Sequence, residues 1–210
     1  MAFQPTELVI AGWTGRDEAA LRQHIEELAA IGVKPPKTTP IFYRVAASLF
    51  TYADEIQVSG PDTSGEVEFV LLQTENALRV TVGSDHTDRK AETIGVSLSK
   101  QLCAKPVSSE SWAYSEVKAH WERLLLRSYI VENHRSLVLY QEGPVTAMRS
   151  PEDLLARYGE LPPGHAMFCG TLAAKGGIRG GERFRMELED PVLRRKLSHE
   201  YAVKILPVEG

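Results

Sequence analysis

The sequence predicts a β-rich α+β fold, and three observations predict it. Stretches with period-two alternation of apolar side chains outnumber those with a helical period. The helical stretches are few, and strands stand between them. No internal repeat, low-complexity linker or long apolar run divides the 210 residues. A chain of this length buries a substantial core, so one domain over 1–210 is expected, with an N-terminal strand and helix in 1–34 and the β-rich core in 35–210.

Composition narrows the function classes. The net charge is −4, and the basic residues are dispersed rather than clustered, so nothing forms an electrostatic footprint for nucleic acid. Cys103 and Cys169 lack metal-site spacing and do not suggest a disulfide framework, which makes buried free thiols in a reducing compartment the expectation. There is neither a basic-flanked apolar leader nor a run near the ~20 residues that cross a bilayer, so a cytoplasmic protein without a membrane partner is expected.

In chain order, Glu7–Ala11 reads as a short buried strand, and Gly12-Trp13-Thr14-Gly15 as a turn. A helix begins near Asp17, with Leu21, Ile25, Leu28 and Ala29 on one stripe, Gly32 as its stop and Pro35-Pro36 barring resumption. Trp13 and His24 are expected to serve packing and solvent exposure respectively. The stretch from Thr39 to Gly60 fits two strands around a small-residue turn, with Glu55–Val58 as the second. Within it Tyr43 and Arg44 stand out from an apolar run. Lys90–Lys100 is ambiguous between helix and extended chain, and Trp112–Trp121 holds a short helical pattern.

Further on, Leu124–Ile130 and Leu137–Tyr140 look like a hairpin across Glu132-Asn133-His134. Ser150-Pro151-Glu152-Asp153 is a helix start, with Ser150 as cap and Pro151 at the first position, and Gly159 closes that helix. Ala166–Cys169, Glu182–Glu189 and Tyr201–Leu206 read as strands. Ala174-Lys175-Gly176-Gly177 lacks the order of a phosphate loop and is not one.

The most informative stretch is Gly65–Lys100. Val67, Phe69 and Leu71 alternate with Glu66, Glu68 and Val70, then the polar turn Thr74–Ala77 leads into Leu78, Val80 and Val82. Folding symmetrically about Glu75-Asn76 pairs Leu71 with Val80 and Phe69 with Val82. Asp85 then falls opposite Glu66, with Glu68 two residues along. Opposed side chains lie about 4.5–5.5 Å apart, and like charges so placed repel. A divalent cation relieves that repulsion, and hard cations take such oxygen ligands. Glu-x-Glu alone is common on solvated strand faces, and a one-residue slip would turn Asp85 away.

The order of motifs resembles the fumarylacetoacetate hydrolase superfamily, specifically its C-terminal catalytic domain, over roughly residues 35–205 and as a compact branch. Glu66-Val67-Glu68 stands for its Glu-x-Glu strand, Ser84–Glu92 for its Asn-Asp-x-Ser-x-Arg-x-x-Gln loop, and Ser99-Lys100-Gln101 for its Gly-Lys motif. Pro40–Ser48 is similar to the segment around a substrate-contacting tyrosine, and Gly170-Thr171 to its Gly-Thr-Pro motif. The resemblance implies a mixed β-sheet roll or barrel with a few peripheral helices, and commonly a homodimer.

It also implies that Glu66, Glu68 and Asp85 hold Mg²⁺ or Mn²⁺, with Ca²⁺ as a third option. Lys100 and Arg89 would neutralise a developing oxyanion, Thr171 and Gly170 would add hydrogen bonds, and Tyr43, with Arg44 and Glu92, would contact the substrate. His86 is the candidate base by proximity, or orients Asp85. The implied reaction is hydrolysis of a C–C bond in a 2-oxo or 1,3-dicarbonyl acid through a metal-stabilised enolate. Hydration, decarboxylation or isomerisation of a 2-oxo acid, or non-catalytic, metal-dependent binding of a small organic acid, are the alternatives. This chain departs from the family in several places. Only a hairpin separates Glu68 from Asp85, Ser84 replaces Asn, Glu92 replaces Gln, Leu172 replaces Pro, and the lid histidine has no counterpart.

Overall fold

A computed structural model describes residues 3–19, 21–22, 25–26, 35–132 and 136–209. The helix expected from Asp17 lies largely outside the described residues, as do His24 and the turn residues Asn133 and His134. The described residues within that helix, Glu18, Ala19, Leu21, Arg22, Ile25 and Glu26, are helical.

The strands follow in chain order: β1 (Glu7–Gly12), β2 (Ile41–Val45), β3 (Phe50–Thr51), β4 (Glu55–Ser59), β5 (Thr63–Ser64), β6 (Val67–Gln73), β7 (Leu78–Ser84) and β8 (Thr87–Asp88). After two short helices, α1 (Arg89–Glu92) and α2 (Val96–Gln101), come β9 (Lys105–Pro106) and β10 (Trp112–Ala113). The rest comprises α3 (Tyr114–Val117), β11 (Leu125–Val131), β12 (Val138–Pro144), α4 (Pro151–Tyr158), β13 (His165–Thr171), β14 (Arg183–Asp190) and β15 (Arg195–Leu206). The ambiguous stretch 90–100 is therefore helical in two pieces. Asp88 starts the first by accepting from the Ala91 N–H at 2.8 Å. Ser150 caps α4 through the Asp153 N–H at 3.2 Å, with Pro151 at the first position, and Gly159 ends it at φ +97°.

Two mixed sheets result. The first has six strands in the order β10-β7-β6-β13-β1-β2, with β1 parallel to β13. The second has five in the order β12-β11-β14-β15-β4, with β4 parallel to β15. One apolar cluster lies between them, joining Val9, Val67, Phe69, Leu71 and Val82 of the first to Ile56, Leu126, Met186, Leu188 and Tyr201 of the second. This is the β-rich α+β architecture expected. The strands on either side of the 46–54 turn do not pair with each other, however. β2 closes an edge of one sheet and β4 an edge of the other, because their apolar rows serve different layers.

The β6–β7 hairpin has the register its turn dictates. Thr74 bonds Ala77 through both backbone and hydroxyl, and Phe69 pairs with Val82 and Leu71 with Val80. β6 is buried on both faces, since Val70 and Leu72 enter a second apolar cluster with Leu8, Ile10 and Phe168. Glu66 and Glu68 extend that second row toward the open end of the hairpin. Among the described residues, no helix is long and apolar enough to cross a membrane.

Candidate metal centre and its cavity

At the open end of the hairpin the Asp85 N–H donates to the Glu66 carbonyl at 3.0 Å, which carries the pairing one residue beyond β7. One oxygen each from Glu66, Glu68 and Asp85 lies within 4.8 Å of the others. Oxygens on opposite sides of a hard cation, with bonds of about 2.0–2.6 Å, stand about 4–5 Å apart, so the trio spans a distance that one cation bridges.

Three cations and one backbone donor distribute themselves over these carboxylates unequally. Arg89 donates to Glu66 at 2.8 Å, to Glu92 at 3.0 Å and to Ser64 at 2.7 Å. The buried Lys100 ammonium contacts Asp85 Oδ2 and stands 3.7 Å from Glu66. Glu68 Oε2 accepts the Gly170 N–H at 2.7 Å. Lys105 stands 3.1 Å from Asp85 Oδ1, but its three N–H bonds go to the carbonyls of His86 (2.7 Å), Lys100 (2.6 Å) and Cys103 (3.0 Å). Lys105 therefore lends Asp85 charge without a hydrogen, and Asp85 Oδ1 is buried with no hydrogen-bond partner. An unpartnered buried carboxylate oxygen beside two further carboxylates is a donor set suited to Mg²⁺, Mn²⁺ or Ca²⁺.

The electrostatics follow from burial and neighbours. Burial, then the Asp85 and Glu66 charges, hold the Glu68 carboxyl well above its ordinary range despite Lys100 and the Gly170 N–H. Burial also pushes Asp85 upward, but Lys100 and Lys105 outweigh it and the net shift is downward. Lys100 is opposed by burial and held up by Asp85, Glu66 and Glu68, so it stays protonated.

Beside the carboxylates opens a cavity of about 450 Å³ lined by the charged Glu66, Glu68, Arg89, Lys100 and Glu92 and by Trp13, Leu21, Tyr43, Val96 and Ile178. Asp85 lies behind this lining, fully buried. The cavity thus gathers Glu66, Glu68, Lys100, Arg89, Glu92, Tyr43, Gly170 and Thr171. Two residues are placed elsewhere. Arg44 pairs with Glu7 on the surface at 2.9 Å and lies over the Tyr158 ring, because alternation along β2 turns it away from Tyr43. His86 turns into the core, with Nδ1 2.9 Å from the Tyr201 hydroxyl and Nε2 2.9 Å from Thr63. Burial, then Lys105 and Arg89, push its pKa down to about 3, so it is a neutral structural group rather than a base facing the cavity.

Two expected donors are also committed within the chain. Thr171 gives its proton to the Val67 carbonyl at 2.8 Å and accepts from Gln141 at 2.9 Å. The Gly170 N–H is held by Glu68. Gly170 itself sits at φ +99°, and a Cβ there would fall 1.8 Å from Thr14 Oγ1, so only glycine lets β13 pass the turn after β1. Lys105 and Gln141 carry no local sequence signal. The three carbonyls around Lys105 come from the β7–β8 link, the end of α2 and the loop after it, and Gln141 reaches the site from the second sheet.

Comparison with solved structures finds the same fold at low identity. A 2-keto-3-deoxy-D-arabinonate dehydratase complexed with magnesium and 2,5-dioxopentanoate is 17% identical, with TM-score 0.67, over 98% of this chain and 75% of that one. Yeast ynq8, a fumarylacetoacetate hydrolase family protein, is 16% identical with TM-score 0.67, over 98% and 96% of the two chains. Cg1458, solved with an inhibitor, is 13% identical with TM-score 0.67, over 98% and 78%. The fold is thus the one the order of motifs implied. A comparison with curated proteins finds no match. Residues 11–201 match the family described as a protein of unknown function, DUF2848, and the chain belongs to that family.

Proposed function

We propose that the chain is a divalent-metal-dependent enzyme that hydrolyses a C–C bond in a 2-oxo or 1,3-dicarbonyl acid. The observation that carries this reading is the unpartnered Asp85 Oδ1 grouped with Glu66 and Glu68 beside an open cavity. The dehydratase of the same fold, solved with magnesium and a dioxo acid, supports the same chemical class.

Glu66, Glu68 and Asp85 would hold Mg²⁺ or Mn²⁺, which supplies Lewis acidity to a carbonyl and stabilises negative charge on its oxygen. The surrounding charges suit an anionic substrate. Counted as ionised, Glu66, Glu68, Asp85 and Glu92 exceed Arg89, Lys100 and Lys105 by one negative charge. A divalent cation reverses this to one positive charge, which a single substrate carboxylate neutralises. Lys100 places a fixed ammonium in the cavity lining, where low dielectric strengthens its effect on a developing oxyanion. Arg89 keeps N–H groups beyond those given to Glu66, Glu92 and Ser64, and Tyr43 keeps its hydroxyl proton, since Trp13 supplies the hydrogen bond it accepts.

A proton acceptor is required as well. Among the described residues no histidine lines the cavity, which leaves Glu92 at its rim. Glu92→Gln tests that assignment through the loss of turnover. A lyase or isomerase acting on a 2-oxo acid would use the same groups with a different proton inventory.

Lys100 favours a second reading. Its ammonium already reaches Asp85 and approaches Glu66, so it serves as the cation of a metal-free binder of small organic acids. Calorimetric titration of Mg²⁺ and Mn²⁺ into the chain and into Asp85→Asn decides between them, followed by assay on acylpyruvates and 2-oxo acids. The enzyme reading expects one cation per chain, lost in the variant, and cation-dependent turnover. Cation binding only after Lys100→Met would establish the second reading.

A further inference from the structure

We infer that the site selects an oxo acid with an extended apolar tail, rather than a polyhydroxylated sugar acid. This inference rests on the function proposed above and concerns the uncharged part of the cavity lining.

The cavity lining is of two kinds. Glu66, Glu68, Arg89, Lys100 and Glu92 are charged, whereas Trp13, Leu21, Val96 and Ile178 offer mainly carbon surface. Apart from Tyr43, whose proton the proposed function gives to the oxo-acid head, the hydroxyls lining the cavity are committed within the chain or nearly buried. Thr93 gives its proton to the Lys90 carbonyl at 2.8 Å, and Thr171 gives its own to the Val67 carbonyl at 2.8 Å. Thr14 is 3% exposed, tucked against Gly170. A tail bearing several hydroxyls would leave water and meet aliphatic carbon, which costs free energy for each hydroxyl left unpaired.

Size points the same way. The six heavy atoms of a three-carbon oxo-acid head occupy at most ~180 Å³ at about 30 Å³ per water-sized group. More than half of the roughly 450 Å³ then remains for the rest of the substrate. At the mouth Ile178 is 64% exposed, an aliphatic side chain that a tail leaving the cavity would cover.

The test is calorimetric binding to the full chain with Mn²⁺ present, using non-cleavable ligands. Oxalate reports the head alone. Pyruvate, 2-oxobutanoate, 2-oxohexanoate and 2-oxooctanoate lengthen the tail, and a six-carbon 2-oxo acid hydroxylated on carbons 4 to 6 is the polar counterpart. The expected result is about threefold to fourfold tighter binding per added methylene until the tail passes the mouth, with the hydroxylated acid weaker than 2-oxohexanoate. Ile178→Ser should reduce the gain over the last methylenes. A flat series, or a hydroxylated acid that binds as tightly as 2-oxohexanoate, overturns the inference. If oxalate and pyruvate still bind with Mn²⁺ in that case, the proposed function stands and only the tail preference falls. If no 2-oxo acid binds at all, both fall.

Discussion

Asp85 and Asp190 are equally buried, and both sit among cations, yet only one belongs to a candidate site. Asp190, at the end of β14, is closed by its own chain. Its Oδ1 accepts the N–H groups of Val192 and Leu193 at 3.1 Å and His120 Nε2 at 3.0 Å, while Oδ2 accepts Arg195 Nε at 3.3 Å. Arg195 is held in turn by Glu116 and lies over the Trp112 ring. Asp85 has comparable charge around it but keeps Oδ1 without a hydrogen and has two more carboxylates beside it. Burial and charge alone therefore do not mark a site. An unsatisfied lone pair beside a cavity does.

That contrast breaks most sharply at Glu68. Glu68→Ala should weaken divalent-cation binding by at least about 100-fold and abolish turnover, as read by calorimetry and assay, because even outer-shell losses at metal sites cost 10- to 100-fold. Retained cation binding would remove the centre from the hairpin. Lys100→Met should keep the cation and lower turnover by about 100- to 1,000-fold, the usual loss for one oxyanion-stabilising group. Asp190→Ala probes the other side of the comparison. Its expected effect is about 3 kcal/mol of stability in urea unfolding, from uncoupling a buried charge cluster, with cation affinity unchanged. Altered cation affinity there would mean the two clusters communicate.

Smaller effects sharpen the picture. Thr171→Val should change turnover by less than about threefold, since its proton already serves Val67, while unfolding loses about 1 kcal/mol for the lost hydrogen bond. Acid provides the finest test. Burial raises the Asp190 carboxyl, but the Leu193 N–H, His120 and Arg195 outweigh it and hold the group below its ordinary 3.8. The folded chain thus releases this proton more readily than the unfolded chain. Asp190 stabilises the fold above about pH 3.8, and that contribution disappears as pH falls through the lower folded value. The urea midpoint of wild type should fall more steeply below pH 3.8 than that of Asp190→Ala, and parallel curves would refute the assignment.

What the sequence made legible was local. Thr74–Ala77 announces a tight turn, the alternation on both sides announces the faces, and together they place Asp85 against Glu66. Period two shows where side chains point while pairing lasts, and it stops at Ser84. His86 lies past that limit, so proximity to Asp85 suggested a base, whereas its direction is set by Tyr201 in β15, 115 residues away. The direction of the Thr171 hydroxyl is beyond a local pattern for a similar reason. The register shift in β13 between Phe168 and Thr171, and the amide of Gln141 in β12, decide where its proton goes. Lys105 has no pattern around it, because the carbonyls that claim its hydrogens meet only after the 85–105 segment folds back on itself.

The hairpin also separates its tip from its chemistry. Glu75 and Asn76 are exposed, and the seven residues of β6, which separate them from Glu66, span roughly 24 Å at about 3.4 Å per residue. A reporter dye, an affinity peptide or a surface tether grafted between them would ride on a rigid ribbon, clear of the cavity mouth. Immobilising the protein by that loop would keep attachment independent of whatever the cavity binds.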